Sequence, residues 1–146
     1  MNSFSTMRSN HFLLTEHALS ESHAREILAN PECGAIVLFV GTVRNTAYDI
    51  PVLYLEFEAY EPMALRELDS IANEIEEEFG VARVLLHHRL GRVEVGEAAV
   101  IAGVAAKHRG NAFPAVERLM NRLKETVPIW KKEHTSNGAI WVSQHP

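Results

Sequence analysis

Two stretches constrain this chain most: Gly34-Ala-Ile-Val-Leu-Phe-Val-Gly41 and Ala98 to Ala106, both apolar without alternation. A strand that shows one face to water alternates apolar and polar residues, so these runs fit strands covered on both faces. Val52 to Tyr60 reads differently. There Leu53, Leu55, Phe57 and Ala59 fall on one side and Tyr54, Glu56, Glu58 and Tyr60 on the other, the pattern of a strand half open to water.

Helices lie between these strands. Ser20 is placed to cap one running to about Ala29, with Ala24, Ile27 and Leu28 inward and Asn30-Pro31 as its stop. Glu61-Pro62 opens a second, whose stripe of Ala64, Leu68, Ile71, Ile75 and Phe79 ends at Gly80, a C-terminal cap. Its Glu74 and Glu76 to Glu78 read as a solvated face. A third runs from about Asn111 to Val127. Further strands are His11 to Thr15 and Val81 to Leu90, the latter linked through Gly91 and Val95-Gly96 to the Ala98 strand. A closing hairpin pairs Ile129–His134 with Ala139–Ser143 across Ser136-Asn137-Gly138, with Trp130 expected in the core. Without strict βαβ alternation, the pattern favours an α+β class over a doubly wound sheet. No repeat or linker divides the 146 residues, which suit one domain over 11–146 behind a loose polar tail, Met1 to Asn10.

The charge is lopsided. Formal net charge is −5, yet residues 83–132 hold ten Lys/Arg against four Asp/Glu, while residues 1–82 hold four against fourteen. An acidic body with one basic patch suits a small anionic ligand or an anionic chain end, not a nucleic acid. No apolar run reaches the ~20 residues that span a bilayer, and the polar start lacks the core of a secretory signal, so no membrane role is expected. Cys33 is the single cysteine, which excludes an intrachain disulfide and a thiolate metal cluster and fits a reducing cytoplasm.

The candidate chemistry is cationic. Arg44 follows one apolar strand and Lys107-His108-Arg109 follow the other, at strand ends where scaffolds present functional groups. Arg109-Gly110-Asn111 opens a helix whose free N–H groups favour phosphate or carboxylate, Gly110 keeping the turn open; the alternative is that Arg109 pairs with a nearby glutamate. On the third helix, Ala112, Phe113, Val116, Leu119, Met120, Leu123 and Val127 share one arc, with Lys124 on its border and Arg118 and Arg122 pointing to solvent. Partial desolvation and neighbouring cations are conditions that lower a lysine pKa, so Lys124 is a candidate nucleophile, base or carboxylate anchor, or else a snorkelling boundary lysine. Lys131 and Lys132 face opposite sides of a strand, so at most one lines a given pocket. His87 and His88 split likewise, which argues against a metal site. No Ser-His-Asp signature, Gly-rich phosphate loop or dinucleotide fingerprint occurs, and carboxylates placed to hold Mg²⁺ for phosphoryl transfer are lacking.

Several short motifs resemble the large, catalytic subunit family of molybdopterin synthase. They are Gly34 to Val37, Phe39-Val40-Gly41-Thr42-Val43-Arg44-Asn45, Glu58 to Ala64, His88-Arg89-Leu90-Gly91, Lys107-His108-Arg109, and Lys124 with Pro128-Ile129-Trp130-Lys131-Lys132-Glu133. The resemblance implies an α/β hammerhead-like core with an added α+β subdomain, and a homodimer at the centre of a heterotetramer. It implies a small ubiquitin-like carrier subunit whose C-terminal Gly-Gly bears a thiocarboxylate. Its sulfur would pass to cyclic pyranopterin monophosphate, forming the dithiolene of molybdopterin without a further cofactor. Positions matching Arg44, Lys124 and Lys131 line the family's active site, with the two lysines as catalytic candidates. Those matching His108 and Arg109 help bind substrate from the neighbouring protomer, and Phe39 and Met120 match apolar pocket positions. The competing reading is a non-catalytic module that binds the tail of a ubiquitin-like protein.

Overall fold

The first two helices begin and end where their punctuation places them, and the third starts two residues earlier than expected. In the computed structural model, which describes residues 10–142, Ser20 Oγ accepts the His23 N–H at 3.1 Å and opens α1 (Glu21–Leu28). Pro62 sits in the first turn of α2 (Glu61–Phe79), and Gly80 closes it at φ 68°, a left-handed conformation natural to glycine. α3 spans Arg109–Thr126. The tail expected over Met1 to Asn10 lies, Asn10 apart, outside the described residues, as does Ser143.

The strands form two sheets. In the first, β1 (Phe12–Thr15), β5 (Arg83–Arg89), β7 (Ala98–Ala106) and β2 (Ala35–Thr42) lie side by side in that order, with only β1 and β5 parallel. The second is built on β4 (Ile50–Ala59), which pairs with β3 (Thr46–Ala47), β6 (Gly91–Glu94) and β8 (Ile129–Thr135), and β9 (Gly138–Val142) pairs with β8. This mixed α+β architecture is the class expected. The sequence reading passed over β3 and treated β6 as a link, because two and four residues are too few to show a period.

β7 explains its own composition. Leu85, Ile101 and Ala105 pack with Ala24 and Leu28 of α1 on one face, while Val84, Leu86, Ala102 and Val104 join α2, α3 and the second sheet on the other. Its alanines let helices approach closely from both sides. Cover on both faces therefore holds for β7. It does not hold for β2, which among the described residues forms the edge of the sheet and leaves Phe39 42% exposed.

Local register corrects two further expectations. β4 breaks register between Val52 and Tyr54, so Val52 is buried and Leu53, expected inward, is 56% exposed. A bulge of one residue shifts the inward phase in this way. Trp130 pairs with Glu58 on the outer face of the second sheet and is 45% exposed, not core. Trp141, opposite Lys132, stands on the same face at 52% exposure, with the Lys132 ammonium 5.3 Å from its ring centre.

The two long helices are joined by charge. Arg122 reaches both carboxylate oxygens of Glu74 at 2.9 and 3.1 Å, and Arg118 reaches Glu78 at 3.2 Å. Neither arginine simply points to solvent, and neither glutamate belongs to a bare solvated face. The helical wheel of α3 placed the arginines opposite its apolar arc but carried no information about the helix lying beside it.

Candidate active site

A hollow of about 250 Å³ opens where the two sheets meet beneath the C-terminal half of α3. β2 contributes Phe39 and Gly41 and leads into Arg44; α3 contributes Met120, Leu123 and Lys124; β8 contributes Lys131 and Glu133. Leu55 and Phe57 of β4 and His88 of β5 complete much of the remaining wall. Five of the seven expected site residues, Arg44, Lys124, Lys131, Phe39 and Met120, thus converge from three separate segments.

Strand parity selects the lysine. Lys131 faces the hollow and Lys132 the opposite side, as expected from adjacent strand positions. Lys131 Nζ lies 3.5 Å from Glu133 Oε2, whose side chain is only 13% exposed. Arg44 and Lys124 have no ion-pair partner among the described residues. The hollow therefore sets three cations against one carboxylate, a field that favours anions.

Lys124 departs from expectation in one respect: it stands exposed at the rim, so the partial desolvation anticipated for it is absent in the single chain. Phe113 is 60% exposed, because the buried arc of α3 runs through Ala112, Ala115, Val116, Leu119 and Leu123 instead.

His108 and Arg109 do not line this hollow within one chain. They begin α3, exposed, where the first turn holds no acidic residue and the N-cap side chain makes no capping bond. Arg109 has no ion pair among the described residues, so the glutamate pairing weighed for it is not seen. The turn is open at Gly110, with nothing within 4 Å of where its Cβ would stand.

Two lining residues were not among the expected site residues. Glu133 was legible, since it shares a strand face with Lys131 two positions away. His88 was set aside with the metal question, yet it is buried against the hollow, edge-on to Phe57 with ring centres 4.8 Å apart. Burial pushes its pKa down to about 4, so the ring is neutral at pH 7. Farther back, Arg89 pairs with Glu97 at 3.2 Å, and the Glu97 carbonyl accepts the Val43 N–H at 3.1 Å. That link fixes the backbone immediately before Arg44.

The chain is similar to known proteins in sequence and fold. A family described as MoaE protein matches residues 14–126. The chain is 43% identical over 135 residues to molybdopterin synthase catalytic subunit 1 of Mycobacterium tuberculosis, covering 91% of this chain and 90% of that protein. It is 41% identical over 127 residues to the human molybdopterin synthase catalytic subunit, covering 87% and 68%. The crystal structure of molybdopterin synthase from Staphylococcus aureus superposes with a TM-score of 0.87 at 36% identity, covering 90% of this chain and 96% of that one. A Helicobacter pylori structure described as the complex of subunits 1 and 2 of molybdopterin-converting factor superposes at 0.72 with 26% identity, covering 90% and 89%.

Proposed function

The chain belongs to the MoaE protein family, and from that premise we propose that it is the catalytic subunit of a molybdopterin synthase. It acts as a sulfurtransferase in the cytoplasm, with a small ubiquitin-like carrier subunit as its sulfur donor and cyclic pyranopterin monophosphate as its acceptor. The observation that carries this reading is the convergence of Arg44, Lys124 and Lys131 on one partly apolar hollow. A thiocarboxylate tail and a cyclic phosphate are both anions, and bringing them together is unfavourable unless fixed cations offset their repulsion.

The roles follow from position. Lys124, at the open rim, meets the incoming Gly-Gly thiocarboxylate; Phe39 and Met120 form apolar walls beside it. Arg44 binds phosphate through its forked donors. Lys131, poised against Glu133, moves protons as the cyclic phosphate opens. In each of two transfers, sulfur bonds to a pterin side-chain carbon as a carbon–oxygen bond at that carbon breaks, and water cleaves the carrier's own carbon–sulfur bond. Oxygen takes the place of sulfur on the carrier, which leaves as a carboxylate, and the two sulfurs form the dithiolene.

His108 and Arg109 serve the hollow of a second copy, in a dimer at the centre of a heterotetramer. The volume supports this arrangement: about 250 Å³ falls below the roughly 300–1,000 Å³ of typical ligand sites. A second chain and the carrier tail would complete the walls.

Purified protein mixed with thiocarboxylated carrier and cyclic pterin should form dithiolene product, detected by mass spectrometry. Lys124→Ala should keep carrier binding and lower product formation by about 10²-fold or more. Wild-type turnover in that variant would remove the assignment of Lys124. Carrier binding with no product from the native protein would leave only a tail-binding module.

A further inference from the structure

We infer that His88 is a substrate-binding residue: its Nε2 accepts a hydrogen bond from a ring N–H of the bound pterin. The inference rests on the reading of the hollow as a pterin site and adds to it the direction in which the substrate lies.

The tautomer is fixed by the chain itself. His88 Nδ1 stands 2.8 Å from the carbonyl oxygen of Arg89. A carbonyl only accepts, so Nδ1 carries the proton. The residue is 5% exposed and the edge-on Phe57 ring stands beside it, surroundings that oppose a second proton; its depressed pKa agrees. A neutral imidazole protonated at Nδ1 presents a lone pair at Nε2. That nitrogen makes no hydrogen bond among the described residues, yet it is not one of the enclosed polar atoms lacking a partner. The space His88 lines is the hollow.

The neighbours give this acceptor its selectivity. Arg44, Lys124 and Lys131 only donate, and the Glu133 carboxylate is engaged by Lys131. The cyclic phosphate is a diester anion that only accepts at neutral pH, whereas a reduced pterin carries several N–H groups. His88 therefore takes the heterocycle, and the cations take the phosphate and the carrier tail. The Thr42 and Thr46 hydroxyls of the lining can donate or accept, so an uncharged side-chain nitrogen that only accepts gives the anion-binding hollow a distinct heterocycle end.

Two variants separate this role from packing. His88→Asn keeps a side-chain N–H for the Arg89 carbonyl and removes the acceptor, while His88→Gln sets an amide oxygen near the place of Nε2. Affinity for cyclic pyranopterin monophosphate, measured by calorimetry on the full chain with its carrier, should fall about tenfold in His88→Asn and largely recover in His88→Gln. Equal binding by His88→Asn and wild type overturns the inference. So does equal weakening in both variants with matched losses of Tm, which marks a packing role. In the unmutated, ¹⁵N-labelled protein, the unprotonated Nε2 resonance should move upfield as the cyclic pterin binds. Binding without that movement also overturns the inference, whether or not the variants fold. A cyclic pterin that fails to bind the native complex instead sinks the reading of the hollow itself.

Discussion

His87 and His88 sit side by side on β5, and burial lowers the pKa of both, His88 to about 4. Unfolded, a histidine titrates near 6.5, so between that value and about 4 the unfolded chain holds a proton that the native His88 refuses. Stability is full above pH 6.5 and is lost as pH falls, by about 2 kcal/mol at pH 5 for this one group. Urea unfolding at pH 7 and pH 5 should show the loss, and His88→Asn should reduce it. The pairing of one histidine per face was legible from strand alternation alone. What alternation could not supply was the neighbour: His88 meets Phe57 from a different sheet. The same gap explains Trp130 and Leu53. Each has an apolar side chain in a strand, and only the register of β8 on β4, or the bulge in β4, determines which face it occupies.

The α2–α3 contact belongs to the next scale. The Glu74 carboxylate and Glu125 beside it raise the Arg122 pKa, and Arg122 in turn lowers that of Glu74. The pairs are partly exposed, at 25% for Arg122 and 44% for Glu74, so water screens them. Arg122→Ala should cost roughly 0.2–1 kcal/mol, less in high salt, and leave dithiolene formation unchanged. Thermal melts at two ionic strengths would read this. Close packing at β7 is less forgiving. A Cβ at Gly103 would stand 2.6 Å from Leu38 Cδ2, 2.7 Å from Leu28 Cδ1 and 3.2 Å from the Val37 carbonyl oxygen. Gly103→Ala should therefore destabilise by about 1–3 kcal/mol, seen as a lower urea midpoint with unchanged slope. The helices were legible because caps and stripes lie within each segment. The tolerance at Gly103 was not, since it depends on α1 and β2 arriving together from far apart in the chain.

At the scale of the whole molecule, the cations divide into two groups. Arg44, Lys124 and Lys131 share one hollow, while His108 and Arg109 lie outside it in the same chain. The sequence showed that cations are in excess over residues 83–132 and that Arg44 ends a strand; it could not show that the two sheets meet where those segments converge. A dimer that shares sites makes a sharp prediction. Lys124→Ala and Arg109→Ala should each be nearly inactive alone, yet co-expression should restore activity at about a quarter of sites, because each mixed dimer holds one intact site. Product formation by the co-purified mixture measures it, and no recovery would place both residues in one chain's site. The outer face of the second sheet offers a way to watch assembly. Both tryptophans of the chain stand there, 45% and 52% exposed. The protein thus carries its own fluorophores in contact with water: acrylamide should quench its emission, and any subunit that shields that face should reveal itself by a blue shift, with no label attached.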